Sequence, residues 1–275
     1  MIDRDCIEFL KWALPQLRMR WQGFRKVRRR VCRRIDRRIT ELGLPDAASY
    51  KRFLAANDAE WAELDTLCTV TISRFYRDRK AFQFLEQEVF PALCREREAQ
   101  GEQELRLWSI GCASGEEPYT LALLWDLTMA RRFPGLSFGI LATDVDLIMI
   151  RRAEEGCYGP GSFVALPQEW REQAFDRKGE LWCMRDEVKS GVTFQVQDIR
   201  KSAPAERFHL ILCRNLAFTY FEAGLQQEVL SRISEHLLPG GALVIGIHES
   251  LPKGYGGLTP WPGGQGIYRK RENIL

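Results

Sequence analysis

Five short apolar runs punctuate the chain after Gly101: LRLWSI (105–110), FGILAT (138–143), VTFQVQ (192–197), FHLILC (208–213) and ALVIGI (242–247). Most are rich in branched residues, and their length suits strands buried in a sheet. Between the first two lies PYTLALLWDLTMARR, and between the last two LQQEVLSRISEHLL; both carry apolar positions at helical spacing. Strands alternating with helices predict a doubly wound α/β sheet. GIYRK (266–270) predicts one more strand.

Before Gly101 the period is helical. Val27, Val31, Ile35, Ile39 and Leu42 fall on one helix face, and Gly43 follows as a stop. Asp46 to Leu54 and Asp58 to Leu67 read as short helices, each opened by an Asp cap. Asp78 reads as the cap of another helix, running through Phe82, Phe84, Leu85 and Val89 with Pro91 near its end. Residues 160–192 break the later alternation, with DRKG and KSG as turns, and predict a small antiparallel β-subdomain. The expected organisation is an N-terminal all-α domain over 1–95 and a Rossmann-like domain over 96–275, with the β-subdomain inserted at about 160–192.

Charge alters this picture at one end only. The net charge is +3, yet residues 1–40 hold 13 Lys/Arg against 4 Asp/Glu. The run RKVRRRVCRRIDRR (25–38) surrounds the Val27, Val31, Ile35 face with arginines, as either a solvated helix face or a dock for an acidic partner. It lacks interleaved aromatics and no nucleic-acid module is present, so nucleic acid is not an expected partner. No apolar run reaches about 18 residues, and MIDRDCIEFLKW has no signal-peptide pattern. A cytoplasmic protein without membrane insertion is expected. The eight cysteines are scattered and read as reduced core thiols, and the three histidines show no metal-ligand spacing.

The densest candidate chemistry is LWSIGCASGEEPY (107–119). Gly111 to Gly115 joins the first predicted strand to the first helix, where glycines let a ligand approach the backbone. There is neither G-x-G-x-x-G nor G-K-[ST], and Glu116 and Glu117 would repel a phosphate. They suit a ligand with ammonium or sulfonium charge. S-adenosylmethionine carries both charges and no phosphate. The competing reading is a helix with acidic first-turn residues and no ligand. Asp144 ends the second strand where doubly wound folds place an acid for ribose hydroxyls. Asp198 and the pair Arg214–Asn215 end the next two. Tyr220 is a candidate for facing the substrate, and Arg77, in TISRFYRD (71–78), for gripping a carboxylate.

Taken together, these motifs resemble the chemotaxis receptor (CheR-type) methyltransferases over nearly the whole chain. RLWSIGCASGEEPYTLAL, ATDVD, LILCRN followed by YF, LLPGGALVIGIHESL, IYRK and TISRFYRDRKAF each look like a family motif. The resemblance implies an S-adenosylmethionine-dependent protein-glutamate O-methyltransferase, releasing S-adenosylhomocysteine. It implies that Gly111, Glu116, Asp144, Asp198, Ile199, Arg214 and Asn215 line the cofactor site. Thr71, Ser73 and Arg77 reach toward cofactor or substrate, and Arg77 and Tyr220 act in catalysis. The implied partner is the cytoplasmic domain of a methyl-accepting receptor, whose tail peptide binds the β-subdomain in some members; the protein itself is expected as a monomer. The chain departs from the family at Thr71, where Asn is usual, at Ser73, where Thr is usual, and near Asp198, where Asn is usual. Its spacing from CRN to the tyrosine is one residue longer, so that tyrosine aligns with Thr219 without a gap and with Tyr220 given one. That spacing leaves open a same-fold methyltransferase acting on a small molecule or a non-receptor protein, or a cofactor-binding regulator without turnover.

Overall fold

The computed structural model describes residues 3–271. They form two compact units: the chain up to Thr71 together with Leu216–Gln226, and Ile72–Asn215 together with the residues from Gln227 on.

The first unit is helical, with Asp3–Gln16, Trp21–Phe24, Arg28–Glu41, Ala47–Ala56 and Asp58–Cys68, joined by Ala217–Tyr220. Val31, Ile35 and Ile39 of the basic helix are buried among Phe9, Leu10 and Leu54, as the four-residue spacing requires. Asp46 caps its helix, its carboxylate accepting the Ser49 N–H at 2.7 Å. Asp58 is already the first helical residue, and Asn57 precedes it without a side-chain cap. The arginines of the basic helix divide. Arg28 pairs with Asp3, Arg34 donates to the carbonyls of Leu67 and Thr69, and Arg38 forks onto the buried Glu60. Arg29, Arg30, Arg33 and Arg37 face outward.

The second unit is built on a seven-stranded sheet. Its strands are β1 (Glu104–Ile110), β2 (Ser137–Asp144), β6 (Val192–Val196), β7 (Phe208–Leu212), β8 (Leu237–Val244), β9 (Leu258–Pro260) and β10 (Ile267–Lys270), in the order β6-β2-β1-β7-β8-β10-β9. β6 through β8 are parallel; β10 runs antiparallel to β8, and β9 antiparallel to β10. This is a Rossmann-like sheet, whose order reverses between β1 and β7. Ligands in such sheets bind at that crevice, beyond the strands' carboxyl ends. Helices Glu116–Leu124 and Leu147–Glu155 pack on β2 and β6. A second sheet, β3 (Cys157–Tyr158), β5 (Leu181–Met184) and β4 (Phe175–Lys178), is the small antiparallel β-subdomain.

Several expectations are corrected. Asp78 stands at the N-cap, where its carbonyl accepts the Ala81 N–H at 2.7 Å, but its side chain caps nothing: it sits in the left-handed region (φ 62) and gives its carboxylate to Arg214. The helix it precedes does not stop near Pro91 but runs from Arg79 to Ala99. A π-turn at Leu85–Val89, with Phe90 N–H donating to the Leu85 carbonyl, carries the ladder past a residue that has no N–H to give. The fifth strand starts earlier than its apolar run: Leu237 already pairs with Phe208, LPGG then bulges out of the ladder with Gly240 at φ 75, and pairing resumes at Ala242 opposite Leu210. Four of the cysteines are not thiols. Cys6 and Cys32 lie on two helices of the first unit with Cα atoms 5.9 Å apart, and Cys157 faces Cys183 across β3 and β5; both pairs are disulfides. Cys68, Cys94, Cys112 and Cys213 are free and buried. No helix among the described residues is long and apolar enough to cross a membrane.

Candidate functional site

Beyond β1 the chain turns through Gly111 (φ 74), Ala113 (φ 48) and Gly115 (φ 90) before entering the helix at Glu116. Gly115 is irreplaceable on two counts. Its φ favours glycine, and a Cβ there would lie 2.9 Å from the Ala153 Cβ and 3.1 Å from the Tyr158 hydroxyl. The turn is tied to the end of β2. Gly111 and Cys112 N–H both donate to the Thr143 carbonyl, at 2.7 and 3.0 Å, and Ala113 N–H donates to Asp144 at 2.9 Å.

Asp144 is 7 % exposed. Its other carboxylate oxygen accepts the Asp146 N–H, also at 2.9 Å. Burial raises its pKa, against the pull of those two N–H groups. Two N–H groups leave lone pairs of the carboxylate unspent. Cys112, on the same turn, has its thiol pushed well up by burial and by the charges of Asp144 and Glu117, so it stays protonated. The loop after β6 joins the same corner: Gln197 N–H donates to the Asp144 carbonyl. Asp198 follows, its carboxylate gripped by Arg200 at 2.9 Å, and then the buried Ile199.

The two glutamates do not stand free. Glu116 is 3 % exposed and accepts hydroxyls from Ser114 at 2.9 Å and Ser162 at 3.2 Å. Glu117 accepts the Ser109 hydroxyl and, at 2.9 Å, an N–H of Arg214. Arg214 also donates to Asp78 at 2.7 Å and to the Arg77 carbonyl at 3.0 Å, with its guanidinium over the Phe82 ring. Asn215 takes the left-handed conformation (φ 56), and its N–H and that of Gly246 share one oxygen of Glu249. Arg77 closes its own loop by donating to the Ile72 carbonyl at 2.7 Å, and Ser73 lies within that loop.

Hydrogen bonds therefore tie the segments that carry Gly111, Glu116, Asp144, Arg214 and Arg77 into one unit, and Asp198 joins them as the chain neighbour of Gln197. Thr71 and Tyr220 belong to the first unit, where Tyr220 packs edge-on to Phe24 at 5.0 Å. Four participants escaped the sequence reading: Asp78, Thr120, Ser162 and Glu249. Thr120 alone carried a legible signal, standing four residues after Glu116 on one helix face, where its hydroxyl meets the Glu116 carbonyl.

The donor set is rich in carboxylates and hydroxyls and holds no lysine on the glycine turn. It fits a cationic, hydroxyl-bearing ligand such as S-adenosylmethionine better than a phosphate.

Residues 71–259 match the sequence model of the family described as "CheR methyltransferase, SAM binding domain". A "Chemotaxis protein methyltransferase" of Listeria innocua is 32% identical over 196 residues, covering 70% of this chain and 71% of that protein. "Chemotaxis protein methyltransferase 1" of Pseudomonas aeruginosa is 34% identical over 188 residues, covering 66% of this chain and 67% of that one. An uncharacterised 104.1 kDa protein of Rhodobacter capsulatus is 33% identical over 223 residues, or 80% of this chain, which spans only 23% of that relative's length.

Proposed function

Since the chain belongs to the CheR methyltransferase family and takes S-adenosylmethionine as its methyl donor, we propose that its acceptors are glutamate side chains of a chemoreceptor-type protein. When bound, the donor supplies an electrophilic sulfonium methyl, which an acceptor carboxylate oxygen takes to give a methyl ester and S-adenosylhomocysteine. A glutamate of pKa about 4.3 is ionised at neutral pH, so the protein need not remove a proton. Its contribution is alignment and partial exclusion of water.

The observation that carries this reading is the lysine-free, carboxylate-lined turn from Gly111 to Glu117 beside Asp144. In it, the bare backbone of Gly111 admits the donor, and Asp144 accepts ribose hydroxyls with the lone pairs its two N–H partners leave unused. Glu116, held by two serine hydroxyls, faces positive charge. Asp198, Ile199 and Asn215 complete the donor site, with Arg214 at the same strand ends. Thr71 and Ser73 reach toward donor or acceptor. Arg77 orients a carboxylate, and Tyr220 shapes the acceptor pocket. The β-subdomain takes a receptor tail, the outward arginines of the basic helix meet an acidic receptor surface, and the protein works as a cytoplasmic monomer.

The test is calorimetric titration with S-adenosylmethionine and S-adenosylhomocysteine, then labelled methyl transfer to purified receptor signalling domains. Base-labile label in receptor helices is the expected result. Donor binding without any labelled receptor fraction would remove the receptor as acceptor. Arg77→Ala should cut turnover at least 10-fold while leaving the melting temperature within a few degrees; equal ester formation by both proteins would take Arg77 out of the mechanism.

A further inference from the structure

We propose that Arg214 is a positioning residue for Arg77: its buried guanidinium fixes the Arg77–Asp78 backbone against the turn that follows β1. This rests on the reading of Arg77 as a group that reaches the donor.

The segment 72–78 is held in a conformation it would not choose. Tyr76 (φ 58) and Asp78 (φ 62) are both left-handed, a region that side-chain-bearing residues seldom adopt and that is least accessible to a bulky residue such as Tyr76. Such backbone persists only when its surroundings over-determine it. Phe75 and Tyr76 have their own anchors. Phe75 N–H donates to the Ser162 carbonyl at 2.9 Å, its ring lies against Tyr158, Phe163 and Phe175, and Tyr76 N–H donates to the Thr120 hydroxyl at 3.1 Å. Among the described residues, Arg77 and Asp78 have one hydrogen-bonding anchor outside their own stretch of chain. The Arg77 carbonyl and the Asp78 carboxylate both accept from the same Nη2 of Arg214, while its Nη1 binds Glu117.

The fork therefore spans three segments: the end of β7, the first turn of the helix after β1, and the strained turn. The Arg214 side chain is 3% exposed, and its Nε has no hydrogen-bond partner among the described residues. Every hydrogen bond it makes is spent inside the protein. An ammonium group is a compact point donor on a flexible stem and cannot reproduce a planar fork to two carboxylates and a carbonyl. With lysine in its place, residues 77–78 lose that anchor and Asp78 is free to leave the left-handed region. The Arg77 side chain then loses its fixed place relative to Glu117.

The experiment is a double-mutant cycle read by calorimetric titration of S-adenosylhomocysteine, with melting curves as the fold control. Arg77→Ala and Arg214→Lys should each weaken binding at least 10-fold, and the double variant should bind within twofold of the weaker single. Additive losses would overturn the proposal, since Arg214 would then act apart from Arg77; unchanged binding by Arg214→Lys would overturn it too. If Arg77→Ala alone binds normally, the reading of Arg77 itself fails and takes this inference with it. Should Arg214→Lys not fold, Asp78→Asn serves in its place: it keeps the Arg214–Glu117 pair, and its expected loss must likewise vanish in the Arg77→Ala background.

Discussion

At the scale of single residues, burial decides which groups are available for chemistry and which record the fold. His209 on β7 records the fold. Its Nδ1 accepts the Arg106 N–H at 3.0 Å, its Nε2 lies 3.4 Å from Glu102, and burial, helped by Arg97, pushes its pKa down to about 4. The unfolded chain takes up that proton near pH 6.5, while the folded one does not until far lower. Between those values the unfolded state binds more protons, so stability is full above pH 6.5 and falls as the pH drops. About 2 kcal/mol should be lost from this group between pH 7 and pH 5. Urea denaturation at the two pH values checks it: the difference should shrink in His209→Asn, whose amide oxygen still accepts the Arg106 N–H. Gly115 makes a second prediction. Gly115→Ala combines a left-handed penalty with a 2.9 Å clash against Ala153, and should cost about 3 kcal/mol together with a loss of S-adenosylhomocysteine affinity.

At the scale of elements, local pattern was a good guide wherever one face is buried and one is not. β1, β2, β6 and β7 lie where the apolar runs place them, although only β7 is buried along its whole length and β6, at the sheet edge, is mostly exposed. The helix Arg28–Glu41 follows its apolar stripe, so Ile35→Ala should cost about 3 kcal/mol and Arg33→Ala less than about 0.5 kcal/mol in denaturant titrations. What pattern could not reach were facts of juxtaposition. Cys6 and Cys32 are 26 residues apart, and only the packing of two helices brings them to bonding distance. Asp78 looked like a cap because it precedes a helix, but a buried arginine 136 residues on claims its carboxylate. Glu116 and Glu117 looked free to meet a ligand, and the hydroxyls of Ser109, Ser114 and Ser162, with Arg214, occupy part of their capacity. The corner of the site was legible since glycine and acid positions are dictated by strand ends. Its supporting groups were not, since they come from distant segments.

At the scale of the whole molecule, the uneven charge bears on the proposed receptor contact. The side chains of Arg30, Arg33 and Arg37 are exposed and carry no ion pair among the described residues, whereas Arg28, Arg34 and Arg38 are engaged in holding the helical unit together. The outward three sit at helical spacing on one face, where the proposed acidic receptor surface would meet them together. Exposed charges of this kind act through long-range attraction more than through contact energy, and salt screens them over about 8 Å at physiological ionic strength. Reversing all three to glutamate should therefore weaken binding to an acidic receptor domain by at least 10-fold at low salt, chiefly through slower association. The gap from the parent protein should narrow steeply in about 0.5 M salt, where the Debye length is only a few ångströms. The melting temperature and the affinity for S-adenosylhomocysteine should not move, because none of the three touches the core of its unit. Stopped-flow association with the receptor domain across a salt series reads all of this. Association rates that ignore both the reversal and the salt would show that this face is merely solvated and that the acidic surface docks elsewhere.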